Sequence, residues 1–460
     1  MPRQTNHGPT GRSTLPVLKV ALYAIGAVGA ILLVCVPVLL FFPNTFINGY
    51  FKNQIIKAFK KAYPAYSIRI AGVHYNIVGN RIGFDTIALK SMDSTFSCSI
   101  GTFSVGRIAW LQLFRHGDSA SKALNGAVAE AREIALTFRQ SPYGLRCGRL
   151  RVSLPDSEIS TNALELHPLV NDDKFFSSSM FRRTRFRINI PQCKVTGADC
   201  QGLLQGKSYR AHSVKVNNAS FDVLVNMDTP YNKNSSRPLM PNEFLSSIKK
   251  NIQVNSVNIM NGKLKYAERY IIGLAPAEVT LDSIRLSAEA IANHAAPGAT
   301  AIIQGQGTFM KSSTMKIRMA VPVLSPEVPL RYSGSLDAMD LAGLNSFLEI
   351  GEGLRIKSGT LQSAAFDITI SEGRANGTVR AMYKDLNIAA LNRSTGSEKG
   401  ALNRIASFLS NTLKIRGTNM PDKSGSMKIG EVKYTQKKDD TFLQLVWFSL
   451  RSGIGDVVGF

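Results

Sequence analysis

The stretch RFRINI, residues 185–190, alternates polar and apolar side chains at every position. Successive side chains of a β-strand point to opposite faces, so Phe186, Ile188 and Ile190 share one face while the arginines and the asparagine share the other. One apolar and one polar face are typical of an antiparallel sheet that is covered on a single side. The stretch therefore predicts a β-strand with one wet face.

The same alternation recurs from Tyr66 onward, in segments separated by Gly, Asn, Asp and Ser. Clear examples are RLRVSL at 149–154, MKIRMAV at 315–321 and AAFDITI at 364–370. Short alternating runs bounded by turn residues indicate strands joined by turns. We therefore expect a mainly β body over residues 66–460, with an antiparallel sheet as its principal element.

A few segments depart from this alternation. Apolar residues recur with helical spacing in residues 337–350 and 398–413, and more weakly in 242–250, which predicts short amphipathic helices. Residues 167–183 and 228–241 have the composition of long loops. The stretch FLQLVWFSL, 442–450, is apolar on both faces, which predicts a buried central strand or a strand that faces lipid, burial being the usual outcome.

The N-terminal region carries a candidate membrane span at residues 20–42. Its 23 residues contain no charge, and a helix rising about 1.5 Å per residue would cross a hydrocarbon core of roughly 30 Å. A cleaved signal peptide is the competing interpretation, but its apolar core is only about 7 to 15 residues long, and FFP at 41–43 is a poor cleavage site. We expect a retained transmembrane helix, with residues 1–19 in the cytoplasm and the long body exported.

Residues 43–65 form a basic amphipathic segment directly after the predicted span. Its apolar side is formed by Phe46, Phe51, Ile55 and Phe59, and its basic side by Lys52, Lys57, Lys60 and Lys61. Two placements remain open. The helix lies on the membrane surface with its apolar face down, or that face packs on the first strands of the body.

The charge indicates the kind of partner, and the cysteine positions raise the question of a disulfide. The 55 Lys and Arg residues against 32 Asp and Glu leave a net charge of +23, which favours anionic surfaces. The basic strand residues lack interleaved stacking aromatics, so we expect anionic lipid rather than nucleic acid. Cys193 and Cys200 flank a plausible turn and are either a disulfide or buried free thiols.

Motifs that carry catalytic chemistry are missing from the sequence. The six histidines are dispersed without metal-binding spacing, and no complete dinucleotide loop, phosphate loop or nucleophile elbow occurs. Isolated acidic residues such as Asp85, Asp222 and Asp367 are typical of the solvent face of a strand. We therefore expect no enzyme activity, no cofactor and no metal site.

Four segments, in order behind the predicted span, resemble a known family. They are YSIRIAGVHYNIVGNRIGFDTIAL at 66–89, VNSVNIMNGKLKY at 254–266, YSGSLDAMDLAGLNSFL at 332–348 and IKSGTLQSAAFDITISEGRANGTVRAMYKDL at 356–386. Together they look like AsmA-like proteins of bacterial envelopes, which are relatives of TamB and of eukaryotic chorein-type bridge proteins. The resemblance covers most of the body and includes no catalytic motif.

This resemblance implies an inner-membrane protein whose periplasmic body folds as an elongated, curled β-sheet with an apolar trough. Phospholipid, the inner membrane and other envelope proteins are the implied partners, and movement of phospholipid between envelope membranes is the implied function. About 20 strands spaced at about 4.8 Å would give a trough no longer than about 100 Å.

An apolar sheet face must be covered by another layer or by a ligand. Because the sequence offers few covering helices, we expect acyl chains to contact the apolar side of several strands. The residues predicted to line this groove are Val257, Ile259, Met315, Ile317, Met319, Ala364, Phe366, Ile368 and Ile370. The alternative is a closed sandwich that acts as a non-catalytic envelope scaffold or outer-membrane assembly factor.

Overall fold

The structure, a computed structural model, describes residues 49, 52–76, 78–108, 125–204, 208–232, 234, 237–294, 298–323, 329–391, 415–438 and 440–459. All named strands in these residues belong to one sheet, which is mixed but mostly antiparallel, so the prediction of a mainly β body is confirmed. The strands are β1 (Tyr66–Asn76), β2 (Arg81–Ser91), β3 (Phe96–Gly106), β4 (Val128–Phe138), β5 (Tyr143–Ser153), β6 (Glu158–Pro168), β7 (Thr184–Thr196), β8 (Ser208–Asn217), β9 (Ser220–Asn226), β10 (Asn251–Arg269), β11 (Ala277–Ala292), β12 (Thr300–Phe309), β13 (Ser313–Pro322), β14 (Leu330–Leu336), β15 (Met339–Asp340), β16 (Leu354–Ser371), β17 (Arg374–Ala390) and β18 (Gly430–Thr435).

The helices in the described residues are mostly short. They are α1 (Lys52–Ala62), α2 (Asp172–Ser177), α3 (Cys200–Leu204), α4 (Pro241–Ser247), α5 (Asn345–Phe347) and α6 (Phe442–Val458). A 3-10 turn at Leu341–Leu344 precedes α5 and a π turn at Leu348–Glu352 follows it, so the helical segment predicted at 337–350 is largely confirmed. The helix predicted at 242–250 corresponds to α4, and the one predicted at 398–413 lies outside the described residues.

The strands follow one another across the sheet in chain order. Neighbouring strands pair antiparallel, except that β8 and β9 both run parallel to β10. Eighteen strands fill sixteen positions, because β8 and β9 both pair with β7 and with β10, and β14 and β15 both pair with β16. The segment between β9 and β10, which contains α4, returns the chain and permits the parallel step.

A fifteen-residue repeat builds the N-terminal part of the sheet. β1, β2 and β3 begin fifteen residues apart, as do β4, β5 and β6, and each of these strands has 11 residues. Four-residue turns connect strands of equal length, which keeps their ends level. Regular antiparallel neighbours of this kind need no other element to set their register.

The antiparallel ladder skips one row at the sixth residue of each of these strands. We call this row the central interruption; its members are Ala71, Thr86, Gly101, Glu133, Gly148, Ala163 and, in β7, Pro191. Thr86, Glu133 and Ala163 have left-handed backbones, with φ values of 43°, 55° and 53°. Glycine stands opposite all three, Gly101 between Thr86 and Glu133 and Gly148 between Glu133 and Ala163. A Cβ added to Gly101 would lie 3.0 Å from the Glu133 Cβ, and one added to Gly148 would lie 3.2 Å from the Ala163 Cβ.

The interruption explains a change of phase in the sequence. In β2 the apolar residues fall at 82 and 84 before it and at 87 and 89 after it. One left-handed residue breaks the two-residue period, so Phe84 and Ile87 reach the same face although they are three residues apart. The exposed residues show the same shift, since Asp85 and Thr86 are consecutive and both exposed.

The C-terminal tail corrects one prediction. Residues 442–450, predicted as a strand, belong to helix α6, which packs on β16, β17 and β18. A capping box starts this helix: the Gln444 backbone N–H donates to the Thr441 hydroxyl at 3.3 Å, and the Thr441 N–H donates to the Gln444 side chain at 3.0 Å. Gly459 ends it with a φ of 100°. The stretch is apolar on most sides because sheet and other helical residues surround it.

The segment 167–183 also differs from a plain loop, because it contains α2. Phe175 and Phe176 of α2 are buried against Leu224 and Ala267, on the sheet face opposite to Val223 and Tyr266. Arg185 is 3% exposed, and its guanidinium lies 3.2 Å from Asp172, at the start of α2, and 3.0 Å from Asp222. Arg185 thus lies on the predicted polar face, but that face is not wet here.

The predicted span at 20–42 lies outside the described residues. Within the part of the chain that the structure describes, no helix has both the length and the apolar character needed to cross a bilayer. The transmembrane helix therefore stays a prediction. Cys98, Cys147, Cys193 and Cys200 are free thiols, so the possible disulfide between the last two is not formed.

Candidate functional site

The strand registers align apolar side chains from every position of the sheet. We call the first alignment row A, and each of its residues is paired with the next in the ladder. Row A consists of Tyr75, Ile82, Val105, Ala129, Val152, Ile159, Val195, Val214, Val257, Ala288, Ile303, Met319, Tyr332, Ile368, Gly377 and Val432. It contains no charged residue and crosses all sixteen positions.

A second alignment, row B, runs beside row A on the same face. Row B consists of Val73, Phe84, Phe103, Ala131, Leu150, Thr161, Cys193, Val216, Ile259, Leu286, Gly305, Ile317, Gly334, Phe366, Val379 and Gly430. Thr161 is its one hydroxyl-bearing member. Paired residues of neighbouring strands project to the same side, so the two rows form one continuous apolar band.

Beyond the central interruption the band continues along a third alignment, row C. It consists of Ile68, Leu89, Cys98, Leu136, Leu145, Leu166, Ile188, Phe221, Leu264, Leu281 and Phe309. Rows B and C therefore flank the interruption from β1 to β7. Because the interruption shifts the phase, both flanks are apolar on one face of the sheet.

All nine residues predicted to line the groove lie on this face. Val257, Met319 and Ile368 belong to row A, and Ile259, Ile317 and Phe366 belong to row B. Met315 and Ala364 both pair with Leu336, and Ile370 pairs with Leu330, in rows parallel to these. Sequence alternation identified the face in each strand, but only the registers bring the strands together.

Burial divides the nine residues into two groups. Val257, Ile259, Met315, Ile317, Met319, Ala364 and Phe366 are half-buried. Ile368 and Ile370 are 0% and 7% exposed and belong to a packed core with Val379, Val432 and other buried residues. In this structure the last two are ordinary core residues.

Helix α6 covers the band over the last strands. The hydroxyl of Tyr332, a row A residue that is 1% exposed, donates to the Val446 carbonyl at 3.0 Å. A Cβ added to Gly453 of the helix would lie 2.5 Å from the Val379 side chain, so glycine permits this close approach. Burial raises the pKa of Tyr332, which keeps its hydroxyl protonated as a donor.

The same helix closes the outer edge of β18. The Glu431 N–H donates to the Asp456 carboxylate at 2.8 Å, and the Lys433 N–H donates to the Ser452 hydroxyl at 3.2 Å. Side chains of α6 thereby satisfy backbone donors that an edge strand would otherwise present to other chains.

At the opposite edge, α1 packs against β1. The Lys52 ammonium donates to the Ala71 carbonyl at 2.9 Å, Ile55 and Phe59 are half-buried, and Lys57, Lys60 and Lys61 are exposed. Helix α1 thus contacts the first strand, and the placement of its apolar face on a membrane or on the body stays a prediction; Phe46 and Phe51 lie outside the described residues.

The band between β1 and β13 has no comparable cover in the described residues. Most of its larger apolar residues, such as Ile82, Phe103, Leu150, Ile303 and Ile317, are half-buried, whereas Val73, Ala131, Val216 and Ala288 are buried. The main buried cluster lies instead around β14–β18 and α6.

The described residues bring together no group of three potential metal ligands. Burial raises the pKa of the Cys98, Cys147 and Cys193 thiols, which favours the unreactive protonated form. Neither protein-family models nor curated proteins gave a match to this chain.

Proposed function

We propose that this protein binds phospholipid acyl chains along the apolar band between β1 and β13 and helps to move phospholipid between envelope membranes. The observation that carries the proposal is the continuity of rows A and B over strands that have no covering layer in the described residues. Bare apolar surface costs about 25 cal/mol per Å², so a ligand that covers it is stabilised in proportion to the area buried. Acyl chains match the apolar chemistry of such a band.

The family resemblance supplies the wider setting. In this proposal the band is the floor of a trough in an elongated, curled sheet, with the central interruption as the line of bending. Residues 20–42 anchor the protein in the inner membrane, and the body lies in the periplasm. The basic surface expected from a net charge of +23 favours contact with anionic lipid head groups.

The size of the sheet bears on how lipid would travel. Sixteen strand positions spaced at about 4.8 Å span about 70 Å. This is shorter than the limit of about 100 Å expected for 20 strands. We therefore propose that lipid is carried or handed to a partner rather than conducted by this chain alone.

A specific observation favours the scaffold alternative for part of the molecule. Over β14–β18 the same rows form a packed core beneath α6, as they would in a protein that binds no lipid. If the uncovered strands are covered by another protein, the body serves as an envelope scaffold.

Lipid analysis of the full chain purified from membranes tests the proposal. Ile317 is a half-buried row B residue in the uncovered part, so we expect Ile317→Asp to leave the protein folded and to lower co-purifying phospholipid several-fold. The measurement is mass spectrometry of bound lipid, with circular dichroism as the test of folding.

Thr314→Asp is the matched control, because Thr314 is exposed on the opposite face of the same strand and the substitution adds the same charge. We expect it to retain wild-type lipid. A wild type without bound phospholipid, or an Ile317→Asp variant that unfolds, would favour the scaffold.

The proposed topology has its own test. A reporter that is active only in the cytoplasm, fused after Phe460, should be silent because the body is exported. Strong activity would place the body in the cytoplasm and remove the proposed route between envelope membranes.

A further inference from the structure

A cleft of about 450 Å³ lies where the uncovered part of the band meets α6. Its floor is apolar, since Val321, Ile370 and Leu445 line it and are 6%, 7% and 2% exposed. Leu330 of β14 and Phe442 of α6 also line it and are half-buried. A volume of this size is within the range of small-molecule sites, which are mostly apolar with a few polar groups.

The cleft lies on the same face of the sheet as the apolar band. Leu330 and Ile370 pair with each other two residues beyond the row A pair Tyr332 and Ile368. Alternate residues of a strand project to the same side, so the cleft adjoins row A. In the other direction, row A continues through Met319 toward β10. An apolar chain that lies along row A would therefore reach the cleft from the uncovered strands.

Two charged side chains at the cleft are paired with each other. Arg237 and Glu243 form a two-point pair, one of whose contacts is Nη1 to Oε2 at 2.8 Å. The Glu243 carboxylate also accepts a hydrogen bond from the Met240 backbone N–H at 2.9 Å. A ligand would have to break these contacts to use either charge.

The remaining charges around the cleft cancel. Lys437, Lys438 and Glu372 line it and are exposed. Asp440 is 3% exposed and accepts hydrogen bonds from the Lys437 backbone N–H at 2.7 Å and from the Tyr434 hydroxyl at 2.8 Å. Two ammonium groups against two carboxylates leave no net charge. The cleft therefore favours neither an anion nor a cation, and its buried floor favours an apolar ligand.

One wall of the cleft is adaptable. Met240 is half-buried beside it, in the connection from β9 to α4, and its sulfur lies 3.8 Å from the Gln436 side-chain nitrogen. A methionine side chain is flexible and fits irregular apolar shapes. This wall can therefore adjust to an apolar ligand while the strands stay in place.

We propose that the cleft binds the methyl end of an acyl chain whose remainder lies along row A toward β10. This inference rests on the proposed function, because it assigns one end of the same binding face. Helix α6 is then the end wall of the site, since it covers the rows over β14–β18. The polar head group of the lipid lies on strands nearer to β1.

Photocrosslinking to the full chain in phosphatidylcholine vesicles tests this assignment. Two phosphatidylcholine probes carry a diazirine either at the end of one acyl chain or beside the glycerol. The chain-end probe should label peptides that contain Leu330, Ile370 or Phe442, and the glycerol probe should label strands nearer to β1 than β13. Preferential labelling of the cleft by the glycerol probe would overturn the assignment.

Filling the cleft tests whether this labelling depends on it. Leu330→Trp should lower chain-end labelling of the Phe442 peptide about tenfold, because the chain loses an apolar site for roughly two methylene groups. Labelling of β10 to β12 should persist. Met240→Trp fills the cleft from outside the sheet and should have the same effect, so it replaces Leu330→Trp if that variant does not fold. Thr314→Trp is the matched control, since Thr314 is exposed on the opposite face of β13, and it should change neither signal.

The outcomes separate this inference from the proposed function. If neither probe labels the apolar face of the wild type, the proposed function fails and this inference fails with it. If the probes label β1–β13 but the chain-end probe leaves the cleft unlabelled, the cleft assignment fails and the proposed function stands. Unchanged chain-end labelling in a folded cleft variant has the same meaning.

Discussion

The two parts of the sheet carry the same apolar rows but differ in what lies over them. Over β14–β18, row A residues Tyr332, Ile368 and Val432 are 1%, 0% and 2% exposed beneath α6. Over β1–β13, row A residues such as Val105 and Ile303 are half-buried, with no such layer in the described residues. An apolar strand face therefore does not reveal whether it is a core or a surface.

This difference in cover predicts that replacing an apolar residue by aspartate destabilises the two parts of the sheet to different extents. In the covered part, side chains are packed on all sides, so an introduced charge is buried without solvent or a polar partner. In the uncovered part, a charge can reach solvent or a ligand's polar end. Two substitutions test this contrast directly, and two with smaller expected effects test the central interruption and the attachment of α6.

Aspartate at equivalent places in row A should separate the two parts most strongly. Ile368→Asp should destabilise the protein by about 4 to 5 kcal/mol or prevent folding, because it buries an unpaired charge. Ile303→Asp, in the uncovered part of the same row, should cost about 1 kcal/mol or less. Urea denaturation of both variants measures this, and equal losses would mean that the uncovered part is also a closed core.

Displacing α6 should expose rows A and B over β14–β18, as they are over β1–β13. Gly453→Val would press a side chain against Val379 and should cost about 2 to 3 kcal/mol by overpacking. We also expect more binding of an apolar dye, because rows A and B become accessible. Ile454→Ala on the exposed side of α6 is the control, and it should change stability by less than about 0.5 kcal/mol. An unchanged melting temperature for Gly453→Val would contradict the close contact.

The central interruption can be tested by removing its backbone strain. Thr86→Gly should raise the free energy of unfolding by about 0.5 to 1 kcal/mol, because glycine adopts a positive φ freely and threonine does not. Thr102→Gly in the regular part of β3 should have the opposite sign and lower it by about 0.5 to 1 kcal/mol. Chemical denaturation compares them. A loss of stability in Thr86→Gly would argue against the left-handed backbone.

Acid should weaken the attachment of α6 slightly. Hydrogen bonds from Lys428 and then from the Glu431 N–H lower the pKa of Asp456 below its ordinary value of 3.8. A lowered folded-state pKa gives stability that is present above pH 3.8 and is lost as the pH falls through the lower folded value. Asp456→Asn should cost about 0.5 kcal/mol at neutral pH, a small value because the pair is partly exposed, and nothing once the carboxylate is protonated in the folded state. The measurement is the free energy of unfolding of both proteins against pH. A difference between them that stays constant into the acid range would contradict the lowered pKa of Asp456.

The local strand signal was reliable because it depends on neighbours in the chain. The stretches at 185–190, 315–321 and 364–370 lie in strands with the expected apolar face, and so does 149–154 except for its last residue. The nine groove residues likewise share one face. A two-residue period needs only the geometry of an extended backbone.

The tail from Phe442 was misjudged because apolar character on all sides fits both a buried strand and a buried helix. The signals that identify a helix were present at its ends: Thr441 and Gln444 have the spacing of a capping box, and Gly459 follows the last turn. Arg185 lies on the predicted polar face but is buried, because it pairs with Asp172 of α2, a segment that the alternation within one strand does not reveal.

The amino-acid sequence by itself determined the alternation, the apolar side of each strand and the phase shift between Phe84 and Ile87. Only the tertiary structure decided that sixteen uncharged residues from Tyr75 to Val432 line up in one row, and that α6 covers one end of it. The reason is physical. Side-chain direction follows from the backbone of one strand, whereas register and cover depend on which distant segments pack together and on how much surface they bury.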